Sequence, residues 1–215
     1  MVKVIGIISY LPDDEHIREL RFQKLNKLIV SCNQLLKLPI HIIIQNYKEE
    51  EISHLSEYKN VSLSKNYSRC GIVGARKKLR EWFLTSAYDC LIMLDDDCEL
   101  VGTARGGKIY LEELEQHRSG YGEFRGTQLK LFSVTRDLLQ YVDFDENINP
   151  EKGDGFEDTL FVNTLKRKFP KRGFEYRGKE LSELSLGVGD ELSTWYTNQN
   201  LKIMLNKTNK VKVRF

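Results

Sequence analysis

Two apolar runs, residues 2–9 and 40–45, most constrain what this chain can fold into. Neither alternates polar with apolar as a strand with one wet face does. Each therefore reads as a strand covered on both sides, the condition of a parallel sheet. Between them Ile17, Leu20, Leu25, Leu28, Ile29, Cys32, Leu35 and Leu36 recur at helical spacing. Pro12-Asp13-Asp14-Glu15 supplies the helix start, and Pro39 ends it. The pattern continues with a short polar helix over 48–58, a weak strand at 61–63, a helix over 71–86 and a fourth strand at 90–94. Strands alternating with helices at this spacing predict an α/β fold with a mixed, mostly parallel central sheet flanked by helices. After residue 100 the periodicity weakens. Residues 102–126 are Gly-rich, 127–134 read as a strand and 159–168 as a helix. No linker separates the halves, so one domain over 1–215 is expected, a nucleotide-binding half (1–100) followed by a substrate half (101–215).

The 215 residues are enough for one sizeable core. A formal charge of +2 gives no strong global field toward nucleic acid or membrane. No apolar run is long enough to cross a bilayer. The chain begins with strand-like residues rather than a signal peptide. Cys32, Cys70, Cys90 and Cys98 lack C-x-x-C spacing, which argues against a zinc ribbon and for reduced thiols in a cytoplasmic protein. Basic residues are unevenly placed. Lys166-Arg167-Lys168, Lys171-Arg172, Arg177 and Lys179 have only Glu175 among them, and residues 202–215 contain no acid. Such runs usually form solvated faces; a phosphate-rich acceptor is the alternative.

The fourth strand ends in Asp95-Asp96-Asp97. Three adjacent carboxylates repel one another and are costly to desolvate unless a cation or hydrogen-bond donors neutralise them. Magnesium and manganese commonly bridge one or two protein carboxylates to substrate phosphates, whereas a solvated acidic turn needs no ligand. Position separates the two readings. In doubly wound sheets ligands bind beyond the carboxyl ends of the strands, where the triplet stands with Ser9-Tyr10 and Gln45-Asn46-Tyr47. Gly71-Ile72-Val73-Gly74-Ala75-Arg76, with Arg69 before it, opens the preceding helix and suits an anionic oxygen. Glu157-Asp158 opens a later helix, where the dipole favours acids, so capping alone would explain them.

The order of these segments resembles the GT-A class of nucleotide-sugar glycosyltransferases, close to family 2. A helix opening with Gly-Ala-Arg precedes a strand ending in D-x-D, then a Phe-Asp-Glu segment (Phe144 to Glu146), then the Glu-Asp pair. The resemblance covers about residues 4–168. It implies a single-domain, Rossmann-like GT-A fold and transfer of a sugar from a nucleoside-diphosphate sugar to an acceptor hydroxyl. It further implies Mn2+ or Mg2+, with uridine diphosphate the family's commonest carrier. Asp95 and Asp97 match the D-x-D acids, Asp95 near the ribose or metal and Asp97 on the metal. Asp96 would face toward the donor sugar or away from it. Ser9 and Tyr10 match the loop lining the nucleobase, and Arg76 a basic residue on the nucleotide. Asp158 matches the general base, with Glu157 the second choice, and an in-line base implies inversion.

One departure is plain. His16, His41, His54 and His117 all precede Glu157, so none can be the downstream histidine ligand many members supply; Asp190 or water is the substitute. His41, on a strand, is expected to be packed and the other three exposed. Residues 102–107 read as a flexible loop able to order over the donor. Trp195 is an acceptor-side aromatic candidate. The acceptor is expected to be a glycan or a hydroxylated base in DNA. Two competing readings are a nucleotidyltransferase, which generally opens with a Gly-rich loop where this chain has Ser9-Tyr10-Leu11-Pro12, and a non-catalytic nucleotide-sugar or nucleic-acid binding module.

Overall fold

A computed structural model describes residues 1–124, 131–144, 157–176 and 184–188. The elements run β1 (Lys3–Tyr10), α1 (Glu15–Leu35), β2 (Ile40–Gln45), α2 (Glu49–Ser56), β3 (Val61–Leu63), α3 (Gly71–Thr85), β4 (Cys90–Asp95), β5 (Cys98–Gly102), α4 (Ala104–Gln116), β6 (Tyr121–Phe124), β7 (Phe132–Thr135), α5 (Arg136–Leu139), α6 (Glu157–Lys168), β8 (Gly173–Tyr176) and β9 (Leu184–Val188). Seven strands form one sheet in the order β3-β2-β1-β4-β7-β6-β8, and β5 and β9 form a separate antiparallel pair. The pairs β2–β3, β1–β2, β1–β4 and β6–β8 are parallel; β4–β7 and β6–β7 are antiparallel.

The apolar runs lack alternation because the sheet is covered on both sides. Ile5, Ile7, Ile92 and Leu94 pack with Leu25, Leu28, Ile29 and Cys32 of α1 and with Tyr110 and Leu114 of α4. Val4, Leu91 and Met93 point the other way, onto Ala75, Leu79 and Phe83 of α3 and Phe161, Val162 and Leu165 of α6. Neighbouring residues of one strand thus serve opposite cores. Gly6 is small because α3 leans on it: a Cβ there would come within 2.9 Å of Leu79 and Leu91 methyls.

Most of the expected elements are present within a residue or two, and the Gly-rich stretch is the main correction. Residues 102–107 are not a loop. They end β5 and open α4, whose N-cap is Thr103, its side chain accepting from the Gly106 amide. Gly106, Gly107, Tyr110 and Leu114 form the buried face of α4. At Gly107 the backbone approaches α1 so closely that a Cβ would sit 2.0 Å from the Leu35 carbonyl oxygen. The glycines therefore mark a tight helix contact rather than mobility.

Candidate active site

Strand order reverses around β1: β2 follows on one side, whereas β4 lies on the other. Such a switch point opens a crevice beyond the carboxyl ends of β1 and β4. β4 ends at Asp95, and Asp96 and Asp97 form the turn into β5.

Strand alternation sends adjacent acids to opposite faces. Asp95 shares the α3 side with Leu91 and Met93. Its carboxylate accepts from the Arg76 guanidinium at 3.2 Å, with Arg76 buried and the Asp95 side chain 22% exposed. Asp96 turns to the α1 side with Ile92 and Leu94 and is 3% exposed. Arg21 donates to one of its oxygens and Ser9 Oγ to the other. Tyr47 Oη donates in turn to Ser9 Oγ at 2.6 Å, and burial pushes the Tyr47 phenol well above its usual range. Asp97 is half-buried, with Cys98 Sγ 3.7 Å from its Oδ1. Ser9, matched by sequence to the nucleobase loop, and Asp96, expected to face toward the donor sugar or away from it, therefore bond to each other beneath the turn. Asp95 and Arg76 pair on the α3 side, and Asp97 is half-buried in the turn.

The neighbouring loops are held firmly. Arg18 donates to both Glu51 carboxylate oxygens at 2.7 Å, to the Asn46 carbonyl at 2.7 Å and to the Pro12 carbonyl at 3.2 Å. Asn46, in the left-handed region at φ 60, donates to the Leu11 carbonyl and to Asp13. The segments after β1 and β2 are thereby tied to α1. Tyr10 is half-buried with the Arg69 guanidinium 5.0 Å above its ring. The Cys70 amide donates to Gln45 Oε1 at 2.9 Å, and Gly71, at φ +72, starts α3 with no acid in the first turn. The first turn of α1 is the opposite case, capped by the Asp14 carboxylate and followed by Glu15.

Topology brings α6 to the same edge. Two antiparallel pairings make β6 parallel to β4, and β8 is parallel to β6. A helix leading into such a strand starts at the carboxyl edge, so Glu157 and Asp158 stand there. Phe161, one turn on from Asp158, stacks on Phe144 at 4.2 Å, and the Arg76 guanidinium lies 6.0 Å from the Phe144 ring. A packed path thus joins α6 to the Arg76–Asp95 pair. Asp158 Oδ1 accepts from the Thr159 amide at 2.7 Å. The side chain of Glu157, and all of Asp190, Trp195, residues 202–215, Arg177 and Lys179, lie outside the described residues. Lys166, Arg167 and Lys168 end α6, about 15 Å along the helix from Asp158 and toward the opposite edge of the sheet.

His41 is packed as expected, 3% exposed, with Nδ1 2.8 Å from Ser62 Oγ and its ring stacked 3.6 Å from Trp82. His117 is half-buried against Phe174 rather than exposed. None of the four cysteines forms a disulfide, and burial pushes the Cys32 and Cys90 thiols up to about 12. Among the described residues no group of three or more His, Cys, Asp or Glu is arranged around a metal position. No described helix is long and apolar enough to cross a membrane.

The residue that sequence reasoning missed is Arg21. The apolar stripe of α1, followed backward from Leu28 and Leu25, reaches positions 21 and 18, and both are arginines buried on the same face. That phase was the available signal.

No protein-family model and no curated protein matches the chain. Solved structures do. TarS of S. aureus in complex with UDP is 12% identical at a TM-score of 0.61, over 83% of this chain and 59% of that one. The mannosyltransferase PcManGT of Pyrobaculum calidifontis, in complex with GDP-Man and Mn2+, is 10% identical at a TM-score of 0.59, over 81% and 54%. A Bacillus anthracis protein provisionally assigned as a glucose-1-phosphate thymidylyltransferase is 10% identical at 0.58, over 87% and 89%. This chain spans 36–61% of the length of the TarS structures it resembles. At these identities the likeness establishes the fold, which is GT-A-like.

Proposed function

We propose that the chain transfers a sugar from a nucleoside-diphosphate sugar to an acceptor hydroxyl. The observation that carries this reading is the meeting of three features at one sheet edge. They are the partly exposed carboxylates of Asp95, which ends β4, and Asp97, in the turn after it, the buried Arg76 paired with Asp95, and the first turn of α6 with Asp158. Tyr10 at the end of β1, with Arg69 from the segment before α3 over its ring, would line the nucleoside, and Arg76 would serve the nucleotide. Ser9 and Asp96 would act from beneath.

Asp97 and Asp95 would hold Mn2+ or Mg2+. Two partly exposed carboxylates suit such a hard divalent ion. When bound, the ion neutralises charge developing on the departing diphosphate. An acceptor alcohol needs a base at neutral pH, the role assigned to Asp158 with Glu157 second, and worth about 10²–10⁴-fold. An in-line base makes the transfer inverting. UDP is the first carrier to try, and the acceptor is a glycan or a hydroxylated base in DNA. The basic turn ending α6 is poorly placed to present DNA to Asp158.

The likeness to the provisional thymidylyltransferase motivates a second reading, nucleotidyl transfer. The first turn of α1 speaks against it, because Asp13, Asp14 and Glu15 would repel a triphosphate at the position where such enzymes cradle one. One experiment separates the readings. Wild-type protein is incubated with Mn2+ and a panel of sugar nucleotides, scored for nucleoside diphosphate release, and in parallel with nucleoside triphosphates and sugar 1-phosphates, scored for pyrophosphate. Diphosphate release, lowered at least 100-fold by Asp158→Asn with donor affinity unchanged, supports glycosyl transfer. Pyrophosphate release, or neither product, overturns it. A retained anomer in proton NMR of the fresh product would remove Asp158 from its role.

A further inference from the structure

The acidic turn is anchored from inside the protein by a chain of four side chains from four segments: Tyr47 after β2, Ser9 on β1, Asp96 in the turn and Arg21 on α1. Asp96 is 3% and Arg21 6% exposed. A buried ion pair is a poor device for stability alone, because desolvation offsets the attraction and apolar residues of similar size do as well. What such a pair does supply is a unique geometry, since Asp96 has one place where both carboxylate oxygens are satisfied.

That geometry bears on the two flanking acids. With Asp96 drawn down toward α1, Asp95 and Asp97 are the two acids of the triplet left partly exposed, and the charge of the central carboxylate is compensated internally. We infer that Arg21 is a positioning residue: through Asp96 it fixes the turn so that Asp95 and Asp97 face the donor diphosphate, and Asp96 makes no contact with donor. This rests on the glycosyl-transfer reading above.

The test uses the full chain and four variants: Arg21→Lys, Arg21→Met, Asp96→Asn and the double Arg21→Met/Asp96→Asn. Two quantities are measured for each, the thermal midpoint and the affinity for UDP in the presence of Mn2+ by calorimetry. Arg21→Met strands a buried carboxylate and should lower the midpoint most. The double variant carries neither charge and should recover most of that loss. Positioning predicts that its UDP–Mn2+ affinity nevertheless stays at least tenfold below wild type, while Arg21→Lys recovers part of it. Recovery of affinity together with the midpoint in the double variant would make the pair merely structural and overturn the inference. So would affinity within twofold of wild type in a folded Arg21→Met. If wild type binds no nucleoside diphosphate and turns over no sugar nucleotide, the functional reading itself fails, a result distinct from wild-type binding that the variants leave unchanged.

Discussion

Replacing Gly107 with Ala decides between two descriptions of the segment that follows the acidic turn. If 102–107 were a loop closing over donor, a methyl at 107 would be neutral or mildly stabilising, since Ala restricts the unfolded chain. In α4, Ala is intrinsically better than Gly by about 0.8–1.0 kcal/mol. The packing says otherwise. The added Cβ would lie 2.0 Å from the Leu35 carbonyl oxygen and 2.8 Å from the carbonyl carbon. Comfortable C···O contacts begin near about 3.3 Å, so α1 and α4 must part by roughly 1 Å. The obstacle is backbone in the last turn of a 21-residue helix, not the tip of a side chain that can swing away. Separation would also loosen Tyr110 and Leu114 from Leu25, Leu28 and Cys32. Overpacking of this kind costs about 1–3 kcal/mol, more where backbone must move. After the gain in propensity the net loss is about 2 kcal/mol, a fall in thermal midpoint of about 4–8 °C at this size. Thermal unfolding followed by circular dichroism measures it, and an unchanged or raised midpoint would refute the helix-contact argument.

Two further perturbations test the frame that carries the site. Burial lowers the His41 pKa from 6.5 to about 4. Ser62 Oγ donates to the Ile40 carbonyl, so His41 Nδ1 donates to Ser62, and Nε2 has no acceptor for a second proton. The unfolded chain therefore protonates first, and stability is lost as pH falls from 6.5 toward 4. The loss is about 2–3 kcal/mol by pH 4.5 as an upper figure. Urea unfolding of wild type and His41→Gln at pH 7.5 and 4.5 should show their difference shrinking by that amount, and a pH-independent difference would contradict it. Arg136 donates to the carbonyls of Leu84 at 2.6 Å, Ser86 at 2.8 Å and Phe83 at 3.0 Å, and to that of Tyr88, closing the carboxyl end of α3. Arg136→Met should destabilise by about 2–4 kcal/mol by leaving these acceptors short of donors, with Arg136→Lys recovering only part because it lacks the planar fork. Equal midpoints for the Lys variant and wild type in chemical denaturation would count against the fork.

The first half of the fold was legible because both-face burial writes itself as unbroken apolar runs, and residues 40–45 are buried at every position. The second half was not, because its strands are four or five residues long and α4 builds its contact face from Gly106 and Gly107, which periodicity cannot count. The site was half legible for a more instructive reason. The acidic triplet invites the picture of three carboxylates converging on one ligand, yet alternation along β4 had already excluded it. Ile92 and Leu94 belong to the α1 core, Leu91 and Met93 to the α3 core, so the next two residues must part in the same way. Asp95 then has to find its partner on α3, and Arg76 is the cation one turn inside that helix. Asp96 must find its own on α1, where the buried stripe reaches Arg21. In this chain the buried Asp96 is therefore taken up inside the protein, and Asp95 and Asp97 are the members of the triplet that keep some exposure. The cation that meets Asp96 is Arg21, and its sequence position follows from the phase of the helix packed beneath.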